Sequence, residues 1–386
     1  MISFDRVSRP ASRYVFIDAL RGFAALSVVA FHVKEAHQVD RLCAALPAAF
    51  AVVLDHAYLG VEVFFVLSGL VIAHSMARDQ VTPRYLGRFM LRRSIRLDPP
   101  YWASIALCVA FAHLSARVVP GKAYVPPGGL QVLAHVLYLP VLLHLPLINP
   151  IYWTLCLEIQ FYLVYALLMV AATTLRSAST PWEEGRALYA VVLPCVAFAD
   201  LWALGAAPFH VVGLFTDAWY YFLLGVLVGR AATRPDDRLA RALCGANLAI
   251  LGTAAVFRRD PDLAVAVLAG LAIVVAGARN KLRQWLAAPA LQELGAISYS
   301  LYLTHVPIAG AAFRVFGRVF ARAGDKPVAF EAAWLVVGPA VCVAVAWAFH
   351  RLIERPTLAL SQRVRLHGPA RRPERYDPSL TPPARR

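Results

Sequence analysis

The stretch that most constrains this chain is 14–33, YVFIDALRGFAALSVVAFHV. It is long and apolar enough to cross a bilayer as a helix. Yet it carries Asp18, Arg21 and His32. At 100° per residue, the eleven residues from Arg21 to His32 return to within about 20° of the start. The fourteen from Asp18 to His32 return to within about 40°. All three polar groups therefore share one stripe, with His32 roughly 16 Å along the axis from Arg21. Each ionised group at bilayer depth costs about 2.5–3.5 kcal/mol on insertion scales, so such residues normally face a bundle interior or a watery cavity. The plainer alternative has Asp18 and Arg21 snorkelling to an interface and His32 capping the far end.

The rest of the sequence repeats the pattern. The chain is 60% hydrophobic and only 16% charged, against about a quarter charged in soluble domains. Apolar runs near eighteen residues recur throughout, which predicts an all-α polytopic membrane protein. The expected spans are 14–33, 58–76, 101–116, 152–175, 188–205, 211–229, 239–257, 263–278, 297–316 and 332–352. Arg6, Arg9 and Arg13 precede the first run as in a signal peptide, but no cleavage site follows, so it reads as a retained span. The six cysteines are scattered without a Cys-x-x-Cys pair and read as small buried hydrophobes.

The net charge of +15 points to cytoplasmic loops and anionic lipid, and no nucleic-acid motif accompanies it. Arg84, Arg88, Arg92 and Arg96 recur every four residues after Thr82-Pro83, which predicts an interfacial helix stopped by Pro99-Pro100. The segment 131–148 is broken by His135, Pro140, His144 and Pro146, and is either a span, re-entrant or peripheral. If it does not span, every basic stretch falls on one side. The positive-inside rule then gives about ten transmembrane helices with both termini cytoplasmic. The membrane domain is expected over 14–356, followed by a basic, Pro-rich, disordered tail over 357–386.

Three further clusters carry chemical potential. In YWTLCLEIQFYLVY, Glu158 and Tyr162 stand four apart on one face, and Glu158 needs a partner such as Arg21 or His32. This is either a site or a structural ion pair. In ISYSLYLTH, Ser298, Tyr302 and His305 form a stripe that serves equally as interhelical glue. The arginine stripe suits anionic lipid, or a phosphorylated ligand at Arg93 and Arg96. No metal site emerges: His32 and His37 fall about 140° apart on a helix.

Together these motifs resemble the membrane acyltransferase family 3, the bacterial sugar and polysaccharide O-acyltransferases. The likeness runs from Tyr14 to Pro356. It is carried by IDALRGFAALSVVAFH (17–32) with its Arg-x10-His spacing, GVEVFFVLSG (60–69), RRSIRLDPPYW (92–102), WTLCLEIQFY (153–162) and ISYSLYLTHVP (297–307). Glu62 and Thr154 stand where Asp and Ser are more usual. No hydrolase-like domain follows the membrane part in this sequence. The resemblance implies a bacterial inner-membrane enzyme that takes an acyl group, usually acetyl, from cytoplasmic acyl-CoA. The group passes to a hydroxyl of an extracytoplasmic or lipid-linked glycan, and no tightly bound cofactor is implied. His32 matches the essential histidine and Arg21 its partner. Arg93 and Arg96 match the arginine pair linked to the donor, and Glu158 the membrane glutamate.

Elementary chemistry agrees with the resemblance. Acylating a hydroxyl needs a base, and an imidazole suits that role or can itself carry the acyl group. Glu158 or Asp18 is expected to orient His32 or hold Arg21, with Tyr162, Ser298, Tyr302 and His305 lining the pocket. Two other readings stay open: an ion-coupled transporter without covalent chemistry, and transfer of a succinyl or longer chain.

Overall fold

The computed structural model describes residues 14–76, 81–118, 124–174, 181–206, 211–234, 236–320 and 327–366. Among them every regular element is helical. The N-terminal arginines Arg6, Arg9 and Arg13, Arg78, and the tail from 367 onward lie outside the described residues.

The chain begins with α1 (Val15–Glu35) and two short helices, α2 (Asp40–Ala45) and α3 (Ala48–Asp55). A 3-10 turn leads into α4 (Gly60–Met76). Next come α5 (Pro83–Val118), α6 (Gly129–Val136), α7 (Tyr152–Thr174) and α8 (Pro181–Ala203). Then follow α9 (Trp219–Thr233), α10 (Arg238–Arg258), α11 (Pro261–Ala278) and α12 (Pro289–Ala296). The chain closes with α13 (Ser298–Phe320), α14 (Val328–Phe349) and α15 (Arg355–Ser361), the last two joined by a π-helical segment, His350–Glu354.

Among the described residues seven helical stretches are long and apolar enough to cross a membrane, and they overlap seven of the ten expected spans. The other three expected spans fall on α8, α9 and α13. The local chemistry accounts for several boundaries. Asp237 caps α10 by accepting from the Ala240 amide at 2.9 Å, and Asp260 caps α11 by accepting from Leu263 at 3.0 Å. Between them Arg259 takes φ 52°, the left-handed turn that ends α10.

Small residues set the closest crossings. On α4 and α9, a Cβ at Gly69 would strike the Phe222 carbonyl, and one at Gly225 would strike the Val66 carbonyl. These backbones touch, as glycine-rich interfaces in membranes allow. On α1 and α12, Gly22 lies against the Gly295 amide in the same way. Gln292 locks that crossing by donating to the carbonyls of Val15 (3.0 Å) and Leu286 (2.9 Å).

Two expectations change. Pro99-Pro100 does not stop a helix: α5 runs through both prolines for 36 residues, about 54 Å. Each proline frees a carbonyl one turn back, at Ile95 and Arg96. The Arg96 carbonyl accepts from Thr357 Oγ1 at 3.4 Å, and the neighbouring Leu97 carbonyl accepts from the Tyr299 hydroxyl at 2.9 Å. A group from α15 thus meets one of the two carbonyls that the prolines free, and one from α13 bonds the carbonyl next to it. The expected tail also begins differently, since residues 355–361 form α15 and pack along α5.

The segment 131–148 holds only the eight-residue α6, about 12 Å long, and then folds back. His135 pins the return: Nδ1 donates to the Gln131 carbonyl at 2.7 Å and Nε2 accepts from the Ile148 amide at 3.0 Å. Tyr138, at φ 59°, stacks on Tyr101 at 4.5 Å and donates to Asp98 at 3.0 Å.

Candidate active site

A cavity of about 50 Å³, room for a few waters, opens between α1, α4, α7 and α13. Arg21, Ser68, Thr154, Glu158, Ser298, Tyr299 and Tyr302 line it with apolar neighbours. Glu158 Oε1 accepts from Ser68 Oγ at 2.6 Å and from the Tyr162 hydroxyl one turn along α7. The shared face expected for Glu158 and Tyr162 is therefore present. The Arg93 guanidinium lies over the Tyr162 ring, 3.5 Å from its centre, and its buried Nε has no hydrogen-bond partner among the described residues. Arg96 sits within electrostatic range of Arg21, Arg93 and Glu354. Arg21 and Glu158 line the cavity, and Arg93, Arg96 and Glu354 lie within electrostatic range of them or of one another. Arg84 is exposed and Arg88 and Arg92 are partly exposed, on the outer run of the same helix.

Glu354 lies just past the last expected span, where no pattern singles it out. It is buried and accepts from Ser300 Oγ at 2.5 Å and His350 Nδ1 at 2.9 Å, on the π-helical segment. Such segments break the regular ladder and often mark functional positions.

The histidines form a second group beyond Tyr302. The His32 and His305 rings stand 5.1 Å apart, and His305 lies 5.9 Å from the Tyr302 ring. The Tyr302 hydroxyl bonds Thr154 Oγ1 at 2.8 Å. Neither expected partner orients His32. Its Nδ1 lies 2.6 Å from Oε2 of Glu35, three residues on. Asp18 is fourteen residues back, about 21 Å by helical rise. Its backbone carbonyl lies against Gly295 in the crossing with α12. Glu158 bonds Ser68 and Tyr162 instead. The His32-x2-Glu35 spacing was visible in the sequence, but Glu35 falls just past the apolar run and so escaped notice.

The two groups connect. From His32 and His305 a row of polar side chains descends through Tyr302 and Thr154 to the cavity, and on to Glu158, Tyr162 and Arg93. Donating Nδ1–H to Glu35 fixes His32 as the tautomer whose Nε2 carries a lone pair. Such a nitrogen can take a proton from a hydroxyl, and the guanidiniums at the other end suit phosphate or carboxylate oxygens. Among the described residues no group of three or more His, Cys, Asp or Glu is placed to hold a metal ion, and all six cysteines are free.

Comparison with known proteins places this geometry. A family model described as an acyltransferase domain, Acyl_transf_3, matches residues 14–351. A Rhizobium radiobacter protein named "Protein 2 in picA locus" is 34% identical over 106 residues, 26% of this chain and 47% of that protein. The match thus spans under half of that relative. A Komagataeibacter xylinus protein named "Putative membrane-bound transacylase BcsY" is 27% identical over 320 residues, 77% of this chain and 73% of that one. No solved structure matches the chain. The family match runs from the first helix, with Arg21 and His32, into the start of the π-helical segment, and so takes in the row and both polar groups apart from Glu354: this multi-pass membrane protein belongs to the acyltransferase family 3.

Proposed function

We propose that the chain is an O-acyltransferase. It moves an acyl group of acetyl size from cytoplasmic acyl-CoA to a sugar hydroxyl of an extracytoplasmic or lipid-linked glycan in a bacterial inner membrane. One observation carries the reading: a polar row joins a guanidinium cluster to a carboxylate-held imidazole through an apolar bundle. Buried polar groups of this kind are costly in a membrane and mark paths for substrate or protons.

In this reading Arg93 and Arg96 bind the donor's phosphates on the cytoplasmic side, where the basic stretches also lie. The cavity beside Arg21 and Glu158 receives the short acyl end. The acceptor hydroxyl meets His32. Its O–H bond breaks as the oxygen bonds to the acyl carbon, and the proton passes to His32 Nε2. The carbon–sulfur bond opens and its electron pair leaves on the thiolate. Glu35 holds the imidazole in the required tautomer and faces the charge that forms.

The test is His32→Ala, followed by mass spectrometry of surface glycans and of the folded protein in the membrane. We expect loss of acylation with the protein still inserted. Full acylation by the variant overturns the reading. Uptake of substrate into vesicles with no change in its mass replaces it with transport.

A further inference from the structure

The lining of the cavity is ordered along its helices. On α4 it runs through Val61, Phe64, Phe65 and Ser68, one stripe about 10 Å long. On α13 it runs from Ser298 to Tyr302, a single turn. Ser68 bonds Glu158, which is within electrostatic range of Arg93, so these residues mark the end toward the donor arginines. Phe64 meets the Tyr302 ring edge-on at 5.7 Å, and Tyr302 neighbours His305, so these mark the end toward the histidines. An acyl chain that enters past Arg93 and Glu158 therefore has Phe64 ahead of it, one turn of α4 beyond Ser68.

The two phenylalanines of the stripe differ in what holds them. Phe65 is buried in the crossing with α9, its ring 4.8 Å from Phe222 and 6.1 Å from Tyr221. Phe64 is only partly buried. It leans on Tyr302, whose hydroxyl is fixed by Thr154 Oγ1 at 2.8 Å and the Ile151 carbonyl at 3.3 Å. It also packs against the apolar cluster that contains Ala25, Val29 and Leu301. The wall at this end is thus a firm one, and the groups around it are apolar. The cavity of about 50 Å³ has room for roughly four water-sized atoms. An acetyl group brings three heavy atoms, a butyryl group five and a succinyl group seven.

We propose that Phe64 sets the length of acyl chain that the enzyme accepts. The inference rests on the acyl-transfer reading and names the side chain that confines it to a two-carbon group. Removing the ring opens space toward the apolar cluster of Ala25, Val29 and Leu301. That space suits an alkyl chain. It does not suit a succinyl group, whose carboxylate would be buried there without a partner. The gain on trimming Phe64 is therefore selective for uncharged chains.

The test uses the full chain in inverted membrane vesicles, with radiolabelled acetyl-, butyryl- and succinyl-CoA as donors and the vesicles' own glycans as acceptor. One methylene in an apolar pocket shifts kcat/KM about 10- to 200-fold. Wild type should therefore favour acetyl over butyryl at least about tenfold. Phe64→Ala should raise the butyryl-to-acetyl ratio of kcat/KM at least about tenfold and leave the succinyl-to-acetyl ratio where it was. Phe64→Leu should shift the ratio the same way by less, and stands in for the alanine variant if that one does not insert. Phe161→Leu trims a ring that is buried against Phe222 outside the cavity, and should leave both ratios unchanged. Wild type that uses butyryl-CoA as well as acetyl-CoA overturns the proposal, as does an unchanged ratio in the Phe64 variants. An equal rise in Phe161→Leu, or a succinyl ratio that rises with the butyryl one, overturns it too, since either marks a general loosening. Wild-type vesicles that label no glycan from any donor overturn the acyl-transfer reading itself, whereas active wild-type vesicles with an indifferent Phe64 overturn only this inference.

Discussion

Glu35 offers a sharp quantitative test, because its bond to His32 is short but lies near the surface. The two atoms are 2.6 Å apart, while the side chains are 15% (His32) and 57% (Glu35) exposed. A buried hydrogen bond to a charged group is worth about 1.5–3 kcal/mol. An exposed ion pair is worth about 0.2–1 kcal/mol, because water and salt screen it. With one partner mostly enclosed and the other mostly in solvent, the contact falls between, at about 1 kcal/mol, or about fivefold in rate. Glu35→Ala should therefore lower kcat about fivefold. Glu35→Gln should lower it about twofold, since the amide oxygen still accepts from Nδ1–H but carries no charge. The gap between wild type and Glu35→Gln should narrow in high salt, where the charge is screened. The assay is initial-rate transfer from labelled acetyl-CoA at saturating donor, at low and high salt. An alanine variant as fast as wild type removes the orienting role. A loss above about 100-fold shows that Glu35 works in a desolvated setting, which would refute the discount for exposure.

Two more predictions concern packing and the donor end. Gly69→Ala and Gly225→Ala each drive a methyl into a facing backbone carbonyl, so each should cost about 1–3 kcal/mol or more, read as a lower thermal midpoint in detergent; unchanged midpoints would mean that α4 and α9 do not touch. Tyr162→Phe keeps the ring under Arg93 but loses the bond to Glu158, while Tyr162→Leu loses both. A guanidinium over a ring is worth about 0.5–2 kcal/mol, so the leucine variant should raise KM for acetyl-CoA clearly above the phenylalanine one; equal values would deny the ring any part.

How much of this was legible beforehand depends on what each residue touches. The stripe on α1, the face shared by Glu158 and Tyr162, and the short hydrophobic runs are local patterns, and periodicity exposes them. The depth of Glu158 in the bundle called for a partner such as Arg21, and the two line one cavity; Tyr302, which lines it too, read equally as interhelical glue. The continuity of α5 was not legible, because the groups that bond its carbonyls at the prolines, Thr357 at Arg96 and Tyr299 at Leu97, lie 261 and 202 positions away. Glu35 was missed for the opposite reason: it is close in sequence but belongs to the end of the run, where charge is unremarkable. His305 read equally as glue or as chemistry until the structure showed that both its bonds stay within its own helix.

The unbroken α5 has a mechanical meaning. Its outer arginines and the two near Arg21 and Glu158 share one stiff axle. Their angular phasing is therefore set once, by residue number alone. Slipping a single extra residue between Arg88 and Arg93 would turn everything on one side by 100° relative to the other. Either the outer arginines would keep their bearing on the lipid or Arg93 would keep its place over Tyr162, but not both. A hinge at Pro99-Pro100 would have uncoupled the arginine stripe from the span beyond; instead the chain transmits any tilt of the stripe straight to Tyr101 and the wall around it.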